Sequence, residues 1–154
     1  MKILFVCSGN CSRSPMAEAY FRHLCKQNNL FEDVTCMSTG IKVQEESVFS
    51  PEAQEVMVSL GLTLKNHTPK QITEEMIDEE TTVIVMTAKH AAAVKKQFPQ
   101  LAKEGRVRLL FSFLDNDNDV ENPVAEDLQT YQQCFLGMMP ALSELTDRIM
   151  RSLA

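Results

Sequence analysis

The sequence predicts an α/β fold built on a parallel sheet covered by helices on both faces. Short apolar runs alternate along the chain with stretches whose apolar residues fall at helical spacing, the order that packs helices across a parallel sheet. The first apolar run passes through a polar loop into a helix within ~25 residues, the opening of a βαβ unit. The 154 residues match the length of one ordinary domain, so residues 1–154 are expected to form a single unit.

Lys2–Val6 is an apolar run stopped by Ser8-Gly9-Asn10, which predicts a buried strand feeding a loop. After it, Ala17, Tyr20, Phe21 and Leu24 lie at helical spacing, with Ser14 as the expected N-cap and Pro15 at the first helical position. Val34–Ser38 reads as a second strand ending at Gly40. Ser50-Pro51-Glu52 has the chemistry of a helix start, and Ala53, Val56, Met57 and Leu60 continue that helix to Gly61. Thr73–Ile77 predicts a short helix, Thr82–Met86 a β-branched strand, Ala88–Phe98 a helix ending before Pro99, and Arg106–Leu110 a strand. The last helix is expected from Glu126 to Met150, with one apolar stripe from Leu128 to Ile149. Gly137 and Pro140 interrupt it and predict a kink or a break. The acidic, Asn-rich run Asp115–Asp119 reads as a solvated loop, and Glu45-Glu46 and Glu74-Glu75 as solvated faces.

Composition narrows the function classes. A net charge of -6 disfavours nonspecific binding to nucleic acid or to an anionic membrane surface. No apolar stretch approaches the ~20 residues of a membrane span, and no signal peptide is expected, so the sequence predicts a cytoplasmic protein. The 5 cysteines are odd in number and sparse, unlike a secreted disulfide scaffold. With 3 scattered histidines they assemble no zinc pattern, so neither metal nor cofactor is expected. Cys25, Cys36 and Cys134 are expected as buried or half-buried small hydrophobes.

Cys7 differs. Cys7-Ser8-Gly9-Asn10-Cys11-Ser12-Arg13-Ser14 spans the gap between a strand end and a helix N-terminus, which is where open parallel sheets bind ligands. The amides of a tight loop converge on an anion, and a helix start adds free N–H groups and the positive end of its dipole. Arg13 offers a planar fork for two phosphate oxygens. Such electropositive surroundings favour the thiolate form of a cysteine. Cys7 is therefore the candidate nucleophile, in a bowl made by Ser8, Gly9, Asn10, Cys11, Ser12 and Arg13, with Ser14 placed to donate to its sulfur. A nucleophile aimed at a tetrahedral anion implies phosphoryl transfer through a cysteinyl-phosphate, with inorganic phosphate or sulfate as a natural occupant.

Val6-Cys7 through Ser14-Pro15-Met16-Ala17-Glu18 resembles the N-terminus of the low-molecular-weight protein tyrosine phosphatases, whose bacterial branch includes protein-arginine phosphatases. The likeness continues in Ser38-Thr39-Gly40, in His67 with Gln71, and in Val85-Met86-Thr87 with His90, and so covers essentially the whole chain. It implies a three-layer sandwich with a four-stranded parallel sheet, and hydrolysis of a phosphorylated protein or peptide, phosphotyrosine first and phosphoarginine as the alternative. His67 and His90 are expected in surface or capping roles. Thioredoxin-coupled arsenate reductases share the loop, but they need further cysteines after the third strand, and Thr81–Leu101 contains none.

The chain departs from the family pattern twice. The second loop cysteine, usually next to the arginine, is displaced to Cys11, with Ser12 in its place; a Cys7–Cys11 disulfide requires Cα atoms within about 7 Å. The family's general acid is the aspartate of an Asp-Pro pair, and the matching pair here is Asn122-Pro123. An amide cannot protonate a leaving group, so either a nearby carboxylate takes that role, Glu121 first or else Asp119, Glu126 or Asp127, or the chain is a phosphate-binding pseudophosphatase. Val124-Ala125 follows the pair where phosphotyrosine-preferring members place aromatic residues, and the run from Asp115 to Glu121 is a possible acidic partner for a guanidinium.

Overall fold

A computed structural model describes residues 1–154. Its four parallel strands are β1 (Lys2–Cys7), β2 (Thr35–Gly40), β3 (Thr81–Val85) and β4 (Val107–Leu109), arranged β2-β1-β3-β4. The helices are α1 (Arg13–Gln27), α2 (Pro51–Ser59), α3 (Ala88–Gln97), α4 (Pro99–Lys103) and α5 (Leu128–Leu153). The expected four-stranded parallel sheet with helices on both faces is the architecture observed.

Side chains alternate across a strand, and β1 is buried on both sides. Ile3, Phe5 and Cys7 join the larger core with residues of α1, α2 and α5, whereas Leu4 and Val6 join a smaller one with Val94 of α3 and Leu101 of α4. The edge of Phe5 meets Phe21 at 5.5 Å between centroids, and Tyr20 meets Phe135 at 6.0 Å, tying α1 to the sheet and to α5. Each side chain of this size contributes about 1.5–3 kcal/mol when fully buried. This packing holds the start of α1 beneath the carboxyl end of β1.

Several boundaries differ from the sequence reading, each for a local reason. Helix α1 begins at Arg13 with Ser12 in the N-cap position but without a side-chain cap bond, and the Ser14 hydroxyl contacts Cys7 Sγ instead of capping. Ser50 does cap α2, accepting from Ala53 N at 3.3 Å. Thr73–Ile77 contributes only one 3-10 turn, Glu74–Met76. Pro99 starts the short helix α4 rather than simply ending α3, since its fixed φ suits a first helical turn. Strand β4 is three residues long, and Leu110–Leu114 continues as a 3-10 turn.

Helix α5 runs unbroken through Gly137 and Pro140, contrary to the expected interruption. Both residues lie on its exposed side, where water can satisfy the carbonyl that proline leaves without a donor. The buried face carries Tyr131, Phe135, Met138, Leu142, Leu145 and Ile149, as the stripe predicts. No helix is long and apolar enough to cross a membrane.

Candidate active site

Strand β1 delivers Cys7 to the edge of the sheet, and the chain turns through Ser8–Ser12 into α1. Asn10 takes a left-handed conformation at φ +57°, which asparagine tolerates better than most residues. Its buried side chain holds the turn from within. Nδ2 donates to Ser14 Oγ at 2.9 Å, and Oδ1 accepts from Lys70 N at 2.9 Å. Around it, His67 Nε2 lies 3.0 Å from the Asn10 carbonyl, and Ser50 N donates to the Cys11 carbonyl at 2.9 Å.

None of the backbone N–H groups from Ser8 to Arg13, nor that of Ser14, donates to a protein acceptor. The turn's carbonyls are used instead: Ile41 N donates to Cys7 O and Lys42 N to Ser8 O. A loop with its acceptors consumed and its donors free is an anion cradle. Ser12 adds a buried hydroxyl with no partner.

Cys7 Sγ lies 2.9 Å from Ser14 Oγ, which also reaches the Thr39 carbonyl at 3.3 Å. The hydroxyl has one proton and two places for it. With Cys7 as a thiol, the sulfur donates to Ser14 and Ser14 to Thr39; with Cys7 as a thiolate, the Ser14 proton turns to sulfur. Asn10 supports Ser14 in both arrangements.

Arg13 is buried, and its Nη1 donates to the Val120 carbonyl at 2.9 Å, joining the loop to the Asp119–Pro123 segment. Burial lowers its pKa most, opposed by Cys7, Cys134 and Asp119; it remains a cation. His90 Nε2 lies 2.8 Å from Ser8 Oγ. Burial first, then the Arg13 charge, pull its pKa down to about 4, so the imidazole beneath the loop is neutral. Of the surface or capping role that the sequence suggests for His90, the surface part does not hold, since the ring is buried.

The loop floors a cavity of about 290 Å³, lined by Cys7, Ser8, Gly9, Cys11, Ser12 and Arg13. Its mouth carries Lys42, Gln44, Ser47, Asn122 and Val124, so no aromatic residue and no carboxylate lines it. Cys7 and Cys11 are both free thiols. Cys11 Sγ donates to the Gly9 carbonyl at 3.3 Å, and burial raises its pKa. Burial likewise pushes Cys134 up to about 11.

Of the residues singled out in the sequence, Asn10 and Ser14 lie under the loop, and Asn122 stands at its mouth. Glu121 does not line that cavity: it is exposed and lines an adjoining cleft of about 800 Å³ between its own segment and α5, which Asn122 borders as well. Asp119 is engaged at α3, where its Oδ1 accepts from Ala88 N at 2.8 Å, so the acidic run is not wholly an idle loop. Lys42, Lys70 and Val120 were not legible as site residues, because two act through the backbone and Lys42 reaches the site only through the β1–β2 register that sets Cys7 beside Gly40.

A cysteine at the carboxyl end of a parallel sheet, under an arginine-closed loop of free amides, is the arrangement of a cysteine-dependent phosphatase. The comparisons agree: the family described as low molecular weight phosphotyrosine protein phosphatase matches residues 2–154, and the chain belongs to it. A protein-arginine-phosphatase of Bacillus subtilis is 31% identical, with 97% of each chain covered. A low molecular weight protein-tyrosine-phosphatase of Streptomyces coelicolor is 30% identical over 92% of this chain and 88% of the relative. Among solved structures, a mutant of YwlE from Bacillus subtilis superposes with a TM-score of 0.88 at 29% identity, covering 97% of this chain and 99% of that one. The enzyme class is therefore a phosphatase hydrolase.

Proposed function

We propose that the chain dephosphorylates protein side chains through a cysteinyl-phosphate, with phosphotyrosine as its substrate. The observation that carries this reading is the row of unspent amides around a sulfur that Ser14 contacts at 2.9 Å. Phosphate seats in the loop, its oxygens held by those amides and by Arg13. Cys7 Sγ attacks phosphorus in line, the leaving oxygen departs toward Asn122, and Ser14 stabilises the thiolate before attack and after release. Water then attacks phosphorus and frees inorganic phosphate. An intact Cys7, Arg13 and Ser14 favours turnover over phosphate binding alone, since a binding module has no use for a nucleophile.

Phosphoarginine is the second reading, favoured by the small Cys11 and Val124 at the cavity and by the names of relatives at 31% identity. Against it, a guanidinium entering this cavity meets Lys42 and no carboxylate. The test compares phosphate release from phosphotyrosyl and phosphoarginyl peptides of the same sequence, with Cys7→Ser as the control. Faster release from the phosphotyrosyl peptide, abolished in Cys7→Ser, is expected. Faster release from the phosphoarginyl peptide overturns the substrate assignment, and release unaffected by Cys7→Ser overturns the mechanism.

A further inference from the structure

The phosphate cavity holds a nucleophile and an oxyanion cradle but no group that delivers a proton in the manner of a carboxylic acid. Each nearby carboxylate is committed elsewhere. Asp119 binds the first turn of α3 through Ala88 N at 2.8 Å, and Asp127 caps α5 through Thr130 N at 2.9 Å. Glu121 and Glu126, with Asp119, line the adjoining cleft that Asn122 also borders, and none of the three lines the loop's own cavity. Asn122 is the side chain at the leaving-group side, and its Oδ1 accepts from Val124 N at 3.2 Å, so its free capacity lies in the amide hydrogens. Those can hydrogen-bond a departing oxygen without protonating it. Lys42 stands at the same mouth and makes no ion pair, adding a positive charge.

A site of this composition suits a leaving group that departs as an anion and is stable as one. Phenolate, with a conjugate acid of pKa ~10, gains strongly from a proton; a carboxylate, near 4, gains almost nothing. Resting on the cysteinyl-phosphate reading above, we infer that beyond phosphotyrosine the site also hydrolyses acyl phosphates, the mixed anhydrides of a carboxylic acid and phosphate, and does so faster than aryl phosphates, phosphotyrosine included, whose phenolate it must expel unprotonated. The Cys7 Sγ–P bond forms as the P–O bond to the acyl group breaks, and the electron pair leaves with the carboxylate, facing Lys42 and the Asn122 amide. Water then attacks phosphorus, the Sγ–P bond breaks, Cys7 leaves as thiolate, and the proton of water passes to solvent with inorganic phosphate released.

The experiment measures kcat/KM of the full chain for acetyl phosphate and phenyl phosphate, corrected for spontaneous hydrolysis, in the wild type, Asn122→Asp and Cys7→Ser. Acyl phosphates are intrinsically more reactive, so the diagnostic quantity is the acetyl-to-phenyl ratio and its change. Restoring a carboxylic acid at the exposed position 122 should lower that ratio about 100-fold, the low end of what general acid catalysis contributes, because phenyl phosphate gains. In the wild type alone, a series of substituted phenyl phosphates should fall at least about 100-fold from the most to the least acidic phenol. A ratio unchanged within threefold by Asn122→Asp, or a flat series, overturns the inference and means that a proton donor already operates. Turnover of both substrates that survives in Cys7→Ser, or no turnover in the wild type, instead overturns the cysteinyl-phosphate reading beneath it.

Discussion

Gly40→Ala places a methyl group where the floor of the Cys7–Arg13 loop meets β2. A Cβ at this position would stand 2.8 Å from the Ser8 carbonyl oxygen, 3.0 Å from Asn10 N and 2.6 Å from Val43 Cγ2. The valine can turn aside, but the other two atoms belong to the loop backbone. Gly40 itself cannot retreat, since its N donates to Lys70 O at 2.8 Å and its carbonyl accepts from Ile72 N at 2.9 Å. A carbon and a carbonyl oxygen settle no closer than about 3.3 Å, so Ser8 must move by about half an ångström. Overpacking of this kind costs about 1–3 kcal/mol of stability. Misplacing reacting groups by 1 Å costs about 100-fold in rate, so half that displacement predicts about a tenfold loss in kcat. The assay is steady-state hydrolysis of 4-nitrophenyl phosphate with competitive inhibition by phosphate, beside thermal unfolding. We expect a Tm lower by about 3–10 °C and phosphate inhibition weakened in parallel with kcat. A variant with kcat and phosphate inhibition within twofold of wild type would refute the claim that Gly40 sets the loop's position.

Ser14→Ala removes the hydroxyl that contacts Cys7 Sγ at 2.9 Å; a hydrogen bond to a charged group is worth about 1.5–3 kcal/mol, so kcat should fall about 10- to 100-fold, with slower alkylation of Cys7 by iodoacetate near neutral pH. An unchanged alkylation rate would show that Ser14 does not stabilise the nucleophile. For His90, the folded-state pKa of about 4 lies below its ordinary 6.5, so between those values the unfolded chain binds the extra proton. Stability therefore rises with pH across that window, by up to about 3 kcal/mol, and is lost as pH falls through it; His90→Asn should flatten this segment of the Tm–pH curve, and an equally steep curve in the variant would contradict the burial argument.

Much of the candidate site is legible in the sequence because its chemistry is local. Cys7, Arg13 and Ser14 fall within eight consecutive residues whose turn and helix start follow from short-range preferences, and the spacing itself places the nucleophile against the arginine. The apolar stripe of α5 was equally legible, since helical periodicity records which face is buried. The role of Ser14 under the loop was less so, because its contacts include the Thr39 carbonyl, which lies 25 residues along the chain. The continuity of α5 was not legible: the penalty of Pro140 depends on whether the face it occupies meets core or water.

The amino-acid order alone determined the alternation of strands and helices and the identity of the candidate nucleophile and oxyanion donors. Folding decided everything that depends on neighbours distant along the chain. The parallel register of β1 with β2 brings Gly40 and Lys42 to the loop, and the crossover to α3 brings His90 beneath Ser8. The position of Asn122 at the border of the loop's cavity, with Glu121 lining only the adjoining cleft, is set the same way, by Val120 packing into the core and bonding Met86 and Arg13. Adjacent residues share a place in the sequence, but burying the side chain of Val120 fixes which of its neighbours faces the site, and that is a property of the packed structure.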